Sequence, residues 1–128
     1  MRFVACMAVV FVSACALNPS VDSLTPEQRS AMSNMKVVEG RLMPAGSFQV
    51  LGTVEGFSCK RNPNNNEPPT EAEAMQGVMI RSAQLGADAV TNVSCKERGV
   101  DWRRNCWLEI ICVGDAISVS DKSLLERQ

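Results

Sequence analysis

The residues best equipped for chemistry in this 128-residue chain are its six cysteines. Cys59, Cys95, Cys106 and Cys112 lie well beyond the N-terminal segment, and no two cysteines have the Cys-x-x-Cys spacing that lowers a thiol pKa for disulfide exchange. The chain has no histidine. A Ser-His-Asp triad, a Cys-His nucleophile and a mixed Cys/His zinc site are therefore excluded by composition. Met75 and Met79 are soft enough for copper, but two thioethers on one apolar helical face read as core filler. No metal, cofactor or catalytic centre is expected. The formal charge of -1 gives no footprint for nucleic acid. Lys60-Arg61 and Arg103-Arg104 read as solvated loop charge.

Cys15 stands apart from these four. Arg2 supplies a positive start, Phe3 to Val12 an apolar stretch too short to span a bilayer, and Val12-Ser13-Ala14-Cys15 resembles a bacterial lipobox. The expectation is a lipoprotein signal peptide over residues 1–14, with diacylglycerol on the Cys15 thiol. Ala16, in place of aspartate, is the residue that directs such products to the outer membrane, facing the periplasm. Cleavage removes Cys6 and Arg2, leaving twelve basic and fourteen acidic side chains. Four free cysteines in an oxidising compartment should form two disulfides. In such a protein the Asn92-Val93-Ser94 sequon is accidental.

The elements that must position these cysteines follow from pattern. Residues 15–46 read as the lipidated cysteine and a tether, in which Thr25-Pro26 starts a short helix running to about Val38. Extended, residues 16–46 would reach roughly 105 Å. Gly40 and Pro44-Ala45-Gly46 mark the start of a folded body over residues 47–120, followed by a tail over 121–128. Ser47 to Val54 alternates as a first strand, with Phe48, Val50 and Gly52 on one face, and Gly56 ends it. Lys60 to Pro69 is a loop. Thr70 and Glu73 form a capping box for a helix whose apolar face is Ala72, Met75, Met79 and Ala83, stopped at Gly86. Ala89 to Cys95, Cys106 to Val113 and Ala116 to Val119 complete an α+β domain of about four strands and one helix. On that reading Cys106 and Cys112 sit on one strand roughly 20 Å apart, beyond disulfide reach, so two of the three connectivities remain open. A plain hairpin would suit Cys95 with Cys106.

Several stretches together resemble the RcsF family of outer-membrane sensor lipoproteins. These are Leu51 to Cys59, the Pro68-Pro69-Thr70 helix entry, Gly86-Ala87-Asp88-Ala89-Val90 leading to Ser94-Cys95, and Cys112-Val113-Gly114-Asp115-Ala116-Ile117. The resemblance covers residues 50 to 119 and the lipobox. It implies pairing of Cys59 with Cys106 and of Cys95 with Cys112. It also implies contacts with outer-membrane barrel or assembly proteins and with an inner-membrane regulator of the Rcs phosphorelay under envelope stress. Members of that family carry a longer, proline-rich tether, whereas residues 16–46 hold only Pro19, Pro26 and Pro44. The alternative reading is a structural or binding envelope lipoprotein without a signalling role.

Overall fold

The computed structural model describes residues 18–64 and 66–128, so the signal-peptide and Cys15 expectations lie outside the described residues. After a 3-10 turn at Val21–Ser23 come α1 (Pro26–Asn34), β1 (Lys36–Val37) and a second 3-10 turn at Gly40–Leu42. The remaining elements are β2 (Phe48–Lys60), α2 (Glu71–Gln84), β3 (Ala89–Arg98), β4 (Leu108–Val119) and α3 (Ser123–Glu126). The four strands form one sheet in the order β1-β3-β4-β2. β1 runs parallel to β3, and the other neighbours are antiparallel. This is the expected α+β architecture, with different strand limits.

The differences trace to two glycines that serve close packing. Gly56 lies inside β2, opposite Cys112. A Cβ there would stand 1.9 Å from the carbonyl oxygen of Ala74 and 2.6 Å from the Val78 nitrogen. The backbone of α2 therefore rests directly on the strand at that point. Gly114 does not turn the chain either. It pairs with Val54, and a Cβ on it would meet Val90 Cγ1 at 2.7 Å. The two strands expected on either side of Gly114-Asp115 are thus one strand, β4.

Face assignments change for a related reason. The β2–β4 register shifts between Val50 and Gly52, so Val50 opposes Ile117 while Gly52 opposes Ala116. Leu51 is the extra residue of this bulge, and it places Gly52 on the opposite face from Phe48 and Val50. On the α2 side lies a core that includes Val54, Val78, Val90, Cys112 and Ala116, while Ile117, Ala89 and Val119 build a second core on the other side. In α2 the buried positions are Ala74, Gly77, Val78, Ile80, Ser82 and Ala83; Ala72 is exposed, and Met75 and Met79 are only partly buried. At the point of closest approach the helix presents Ala74 and Gly77, because only small residues permit backbone contact with the sheet there.

The segment expected as a tether is part of the body from Asn18 onward. Thr25 and Gln28 form a full capping box for α1, which ends at Asn34. Leu24 and Met35 are buried in the core under α2. β1 then pairs with the edge of β3, and Val38 and Met43 are buried in the core on the opposite face. The arm thus wraps around one sheet edge and seals both faces. α3 in the expected tail adds Leu124 and Leu125 to the second core. Each of these apolar side chains contributes about 1.5–3 kcal/mol when fully buried.

Two measurements test this account. Gly56→Ala should lower stability by about 1–3 kcal/mol in urea unfolding through overpacking against backbone. Gly99→Ala, where a Cβ would meet nothing within 4 Å, should be close to neutral. The Asp88 carboxylate accepts hydrogen bonds from the Val119 N–H at 2.9 Å and the Ser118 hydroxyl at 3.3 Å, and pairs with Lys122 at 3.2 Å. Burial pushes its pKa up, but these donors outweigh burial and hold it below 3.8. A folded pKa below the unfolded one means stability that is present above the unfolded pKa and lost as pH falls through the folded pKa. Asp88→Asn should therefore be less stable than the parent at neutral pH, with urea midpoints converging below about pH 4.

Candidate functional site

The C-terminal end of β2, the N-terminal end of β4 and the C-terminal end of β3 meet at one end of the sheet, where the cysteines collect. Cys59 is bonded to Cys106, with Cα atoms 5.4 Å apart, and Cys95 to Cys112, with Cα atoms 4.0 Å apart. The pairing is the one implied by the family resemblance, and the hairpin alternative of Cys95 with Cys106 does not occur. Cys95 and Cys112 are direct cross-strand neighbours. Cys106 precedes β4 and sits in a bridge with Asp101, each backbone N–H donating to the other's carbonyl at 2.9 Å. The sequence separations of 47 and 17 residues make the two bonds worth about 4 and 3 kcal/mol of unfolded-chain entropy.

Beside the Cys59–Cys106 bond lies a cleft of about 320 Å³, lined by Asn18, Phe57, Arg61, Glu73, Arg104 and Glu109 among others. Glu109 is fully buried. One of its oxygens accepts from Arg104 at 2.8 Å, and Oε2 has no hydrogen-bond partner among the described residues. Arg104 also reaches Asp101 at 3.2 Å and lies 4.0 Å over the Phe57 ring. Such a stack and pair suit a planar guanidinium more than an ammonium. Arg104 is therefore not solvated loop charge; its side chain is 24% exposed.

The helix entry differs from the expected capping box. Thr70 accepts from the Glu73 N–H as an N-cap, but the Glu73 carboxylate accepts from the Ser58 hydroxyl. The Thr70 N–H in turn donates to Ser58 Oγ at 2.8 Å. Buried Ser58 thus links β2 to the start of α2. On the outer edge of β2, the Asn18 side chain accepts from the Phe57 N–H at 2.9 Å and donates to the Phe57 carbonyl, completing that residue as a neighbouring strand would. Gly77 makes room for it, since a Cβ there would meet Asn18 Oδ1 at 2.3 Å.

Sequence reasoning missed Asn18, Ser58, Arg104 and Glu109. Glu109 carried a legible signal, because it is the single charge in the apolar run from Cys106 to Val113, and a carboxylate there needs a partner. Trp102 and Trp107 form an edge-to-face pair with ring centroids 5.8 Å apart. They are 77% and 43% exposed. Among the described residues no group of three Cys, Asp or Glu side chains is placed to hold a metal ion.

The fold and site define a small α+β domain with two disulfides and a buried Arg104–Glu109 pair at one end of its sheet. The model of the RcsF lipoprotein family matches residues 12–120. The chain belongs to that family. No curated protein matches it. Among solved structures, a protein of unknown function of the DUF74 family from Pediococcus pentosaceus is similar at 15% identity with a TM-score of 0.49. That match covers 69% of this chain and 99% of the other.

The Arg104–Glu109 pair makes a direct prediction. Arg104→Ala strands a buried carboxylate and should cost about 3–5 kcal/mol, while the double replacement Arg104→Met, Glu109→Leu should recover most of that loss. Urea unfolding of the three proteins decides it, and a double variant no better than Arg104→Ala would show that the charge is not the issue.

Proposed function

We propose that this protein is an outer-membrane lipoprotein, anchored by diacylglycerol on Cys15, that senses envelope stress and activates a phosphorelay through protein contacts. The match to the RcsF lipoprotein family carries this reading, because it begins at Val12 and so takes in the Val12-Ser13-Ala14-Cys15 lipobox along with the folded body. The body faces the periplasm, and its partners are outer-membrane barrel or assembly proteins and an inner-membrane regulator. The role is not enzymatic, as fits a chain without histidine or a Cys-x-x-Cys pair.

The anchor and the relay have separate tests. Cys15→Ala should abolish incorporation of labelled palmitate, and label persisting on that protein would sink the assignment of the anchor. Ala16→Asp, in a host that uses this sorting rule, should retain the body at the inner membrane. Output of a phosphorelay reporter should then be constitutive without stress. An unchanged reporter with folded, relocated protein would favour a structural lipoprotein with no signalling role.

A further inference from the structure

The end of the sheet that carries the disulfides also carries an unusual surface. Trp102 and Trp107 project there as an exposed pair, with Val100 46% exposed beside them in the same loop. The loop is rigidly held: Cys106 is bonded to Cys59, the Trp107 N–H donates to the Lys60 carbonyl at 2.8 Å, and the Asp101 carboxylate accepts from the Arg103 N–H at 2.8 Å. Lys60, Arg61, Lys96, Arg98, Arg103 and Arg104 lie at this end. Of the carboxylates there, Glu109 and Asp101 pair with Arg104, and Glu67, Glu71, Glu73 and Glu97 are on the exterior. The rest of the described body carries more carboxylates than cations.

The position of Asn18 gives this surface its meaning. Asn18 is fixed to Phe57 and lines one cleft with Arg61, Arg104 and Cys106, the residue before Trp107. Three residue steps separate it from Cys15, and a chain of that length spans at most about 11 Å. An acyl anchor on Cys15 therefore keeps the cleft that Asn18 lines close to the lipid surface. Indole rings prefer the headgroup layer, where an apolar ring and a polar N–H are both satisfied, and cations beside them are drawn to anionic lipids.

We infer that Trp102 and Trp107, flanked by Arg61 and Arg103, form a docking surface that seats the body on the anionic phospholipid headgroups of the leaflet holding the anchor. The inference rests on the lipidation proposed above. Its contribution is orientation: an end already anchored by its acyl chains gains a second, interfacial contact.

The chain's two tryptophans are both in this patch, so intrinsic fluorescence reports on it alone. The experiment uses the mature lipidated protein in vesicles of phosphatidylethanolamine and phosphatidylglycerol with brominated or ordinary acyl chains. Flotation reads the anchor and quenching reads the docking. The expected result is co-flotation, a blue-shifted emission and loss of most of it in the brominated vesicles. In unlipidated protein, vesicle binding should weaken about fivefold for each of Arg61→Gln and Arg103→Gln. Protein that floats with solvent-like, unquenched emission overturns the docking while leaving the anchor standing. Protein that does not float overturns both. Equal quenching in pure phosphatidylcholine removes the role of anionic headgroups. An emission shift seen only on adding outer-membrane proteins assigns the patch to a protein partner and overturns the proposal.

Discussion

The contact on which the molecule depends is the one between two glycines. Gly56 of β2 and Gly77 of α2 face each other closely enough that a Cβ on Gly77 would lie 2.9 Å from the Gly56 Cα, and a Cβ on Gly56 would collide with the Ala74 carbonyl. Backbone against backbone is the shortest distance at which a helix can lie on a sheet, and every other packing decision follows from it. Small residues must face the sheet, so Met75 and Met79 are displaced to the flank. The same lack of a side chain at Gly77 leaves the space that Asn18 fills to bond the free edge of β2. One close approach thus joins the helix, the edge strand and the N-terminal arm.

A sheet with two apolar faces needs two covers, and a body this small has one long helix to offer. The arm resolves this by running over one face as Leu24 to Met35, crossing the edge as β1, and running under the other as Val38 to Met43. Neither core extends to the end of the sheet where Cys59 and Cys106 lie. There the covalent bonds and the Arg104–Glu109 pair take over the work of apolar burial. Removing a staple from that end removes a few kcal/mol from a domain whose whole stability is expected to be of order 5–15 kcal/mol.

What was legible in the sequence divides along the same lines. Capping residues are local chemistry, so Thr25 and Thr70 marked their helices correctly. Cysteines in an oxidising compartment pair, and the family resemblance chose the pairing that the structure has. Glycines were misread, because a glycine that ends a strand and one that permits close packing within it look alike until the partner is known; Gly56 makes room for α2 and Gly114 for Val90 of β3. The period-2 reading of β2 failed at Leu51, since a bulge reverses faces without any change in composition. The arm reads as a tether in the sequence because its buried residues, Leu24, Met35, Val38 and Met43, are too far apart to show one helical stripe. They serve two different cores. The Arg104–Glu109 pair was invisible as a pair, although Glu109 alone in an apolar run was a warning.

The arm also decides how such a protein can work if Cys15 carries its lipid. Read as a free tether, residues 16–46 would let the body range roughly 105 Å from the membrane. With the arm folded, only residues 16 and 17 lie between the anchor and Asn18. Recovering the longer reach would mean pulling Leu24, Met35, Val38 and Met43 out of both cores at about 1.5–3 kcal/mol each, a sum comparable to the stability of the entire domain. Reach is therefore not an independent variable here; it cannot change without unfolding the sheet's covers. On the role and docking proposed above, a signal that leaves the body folded is carried by which face is turned away from the membrane, and the disulfide-bonded end sets that face.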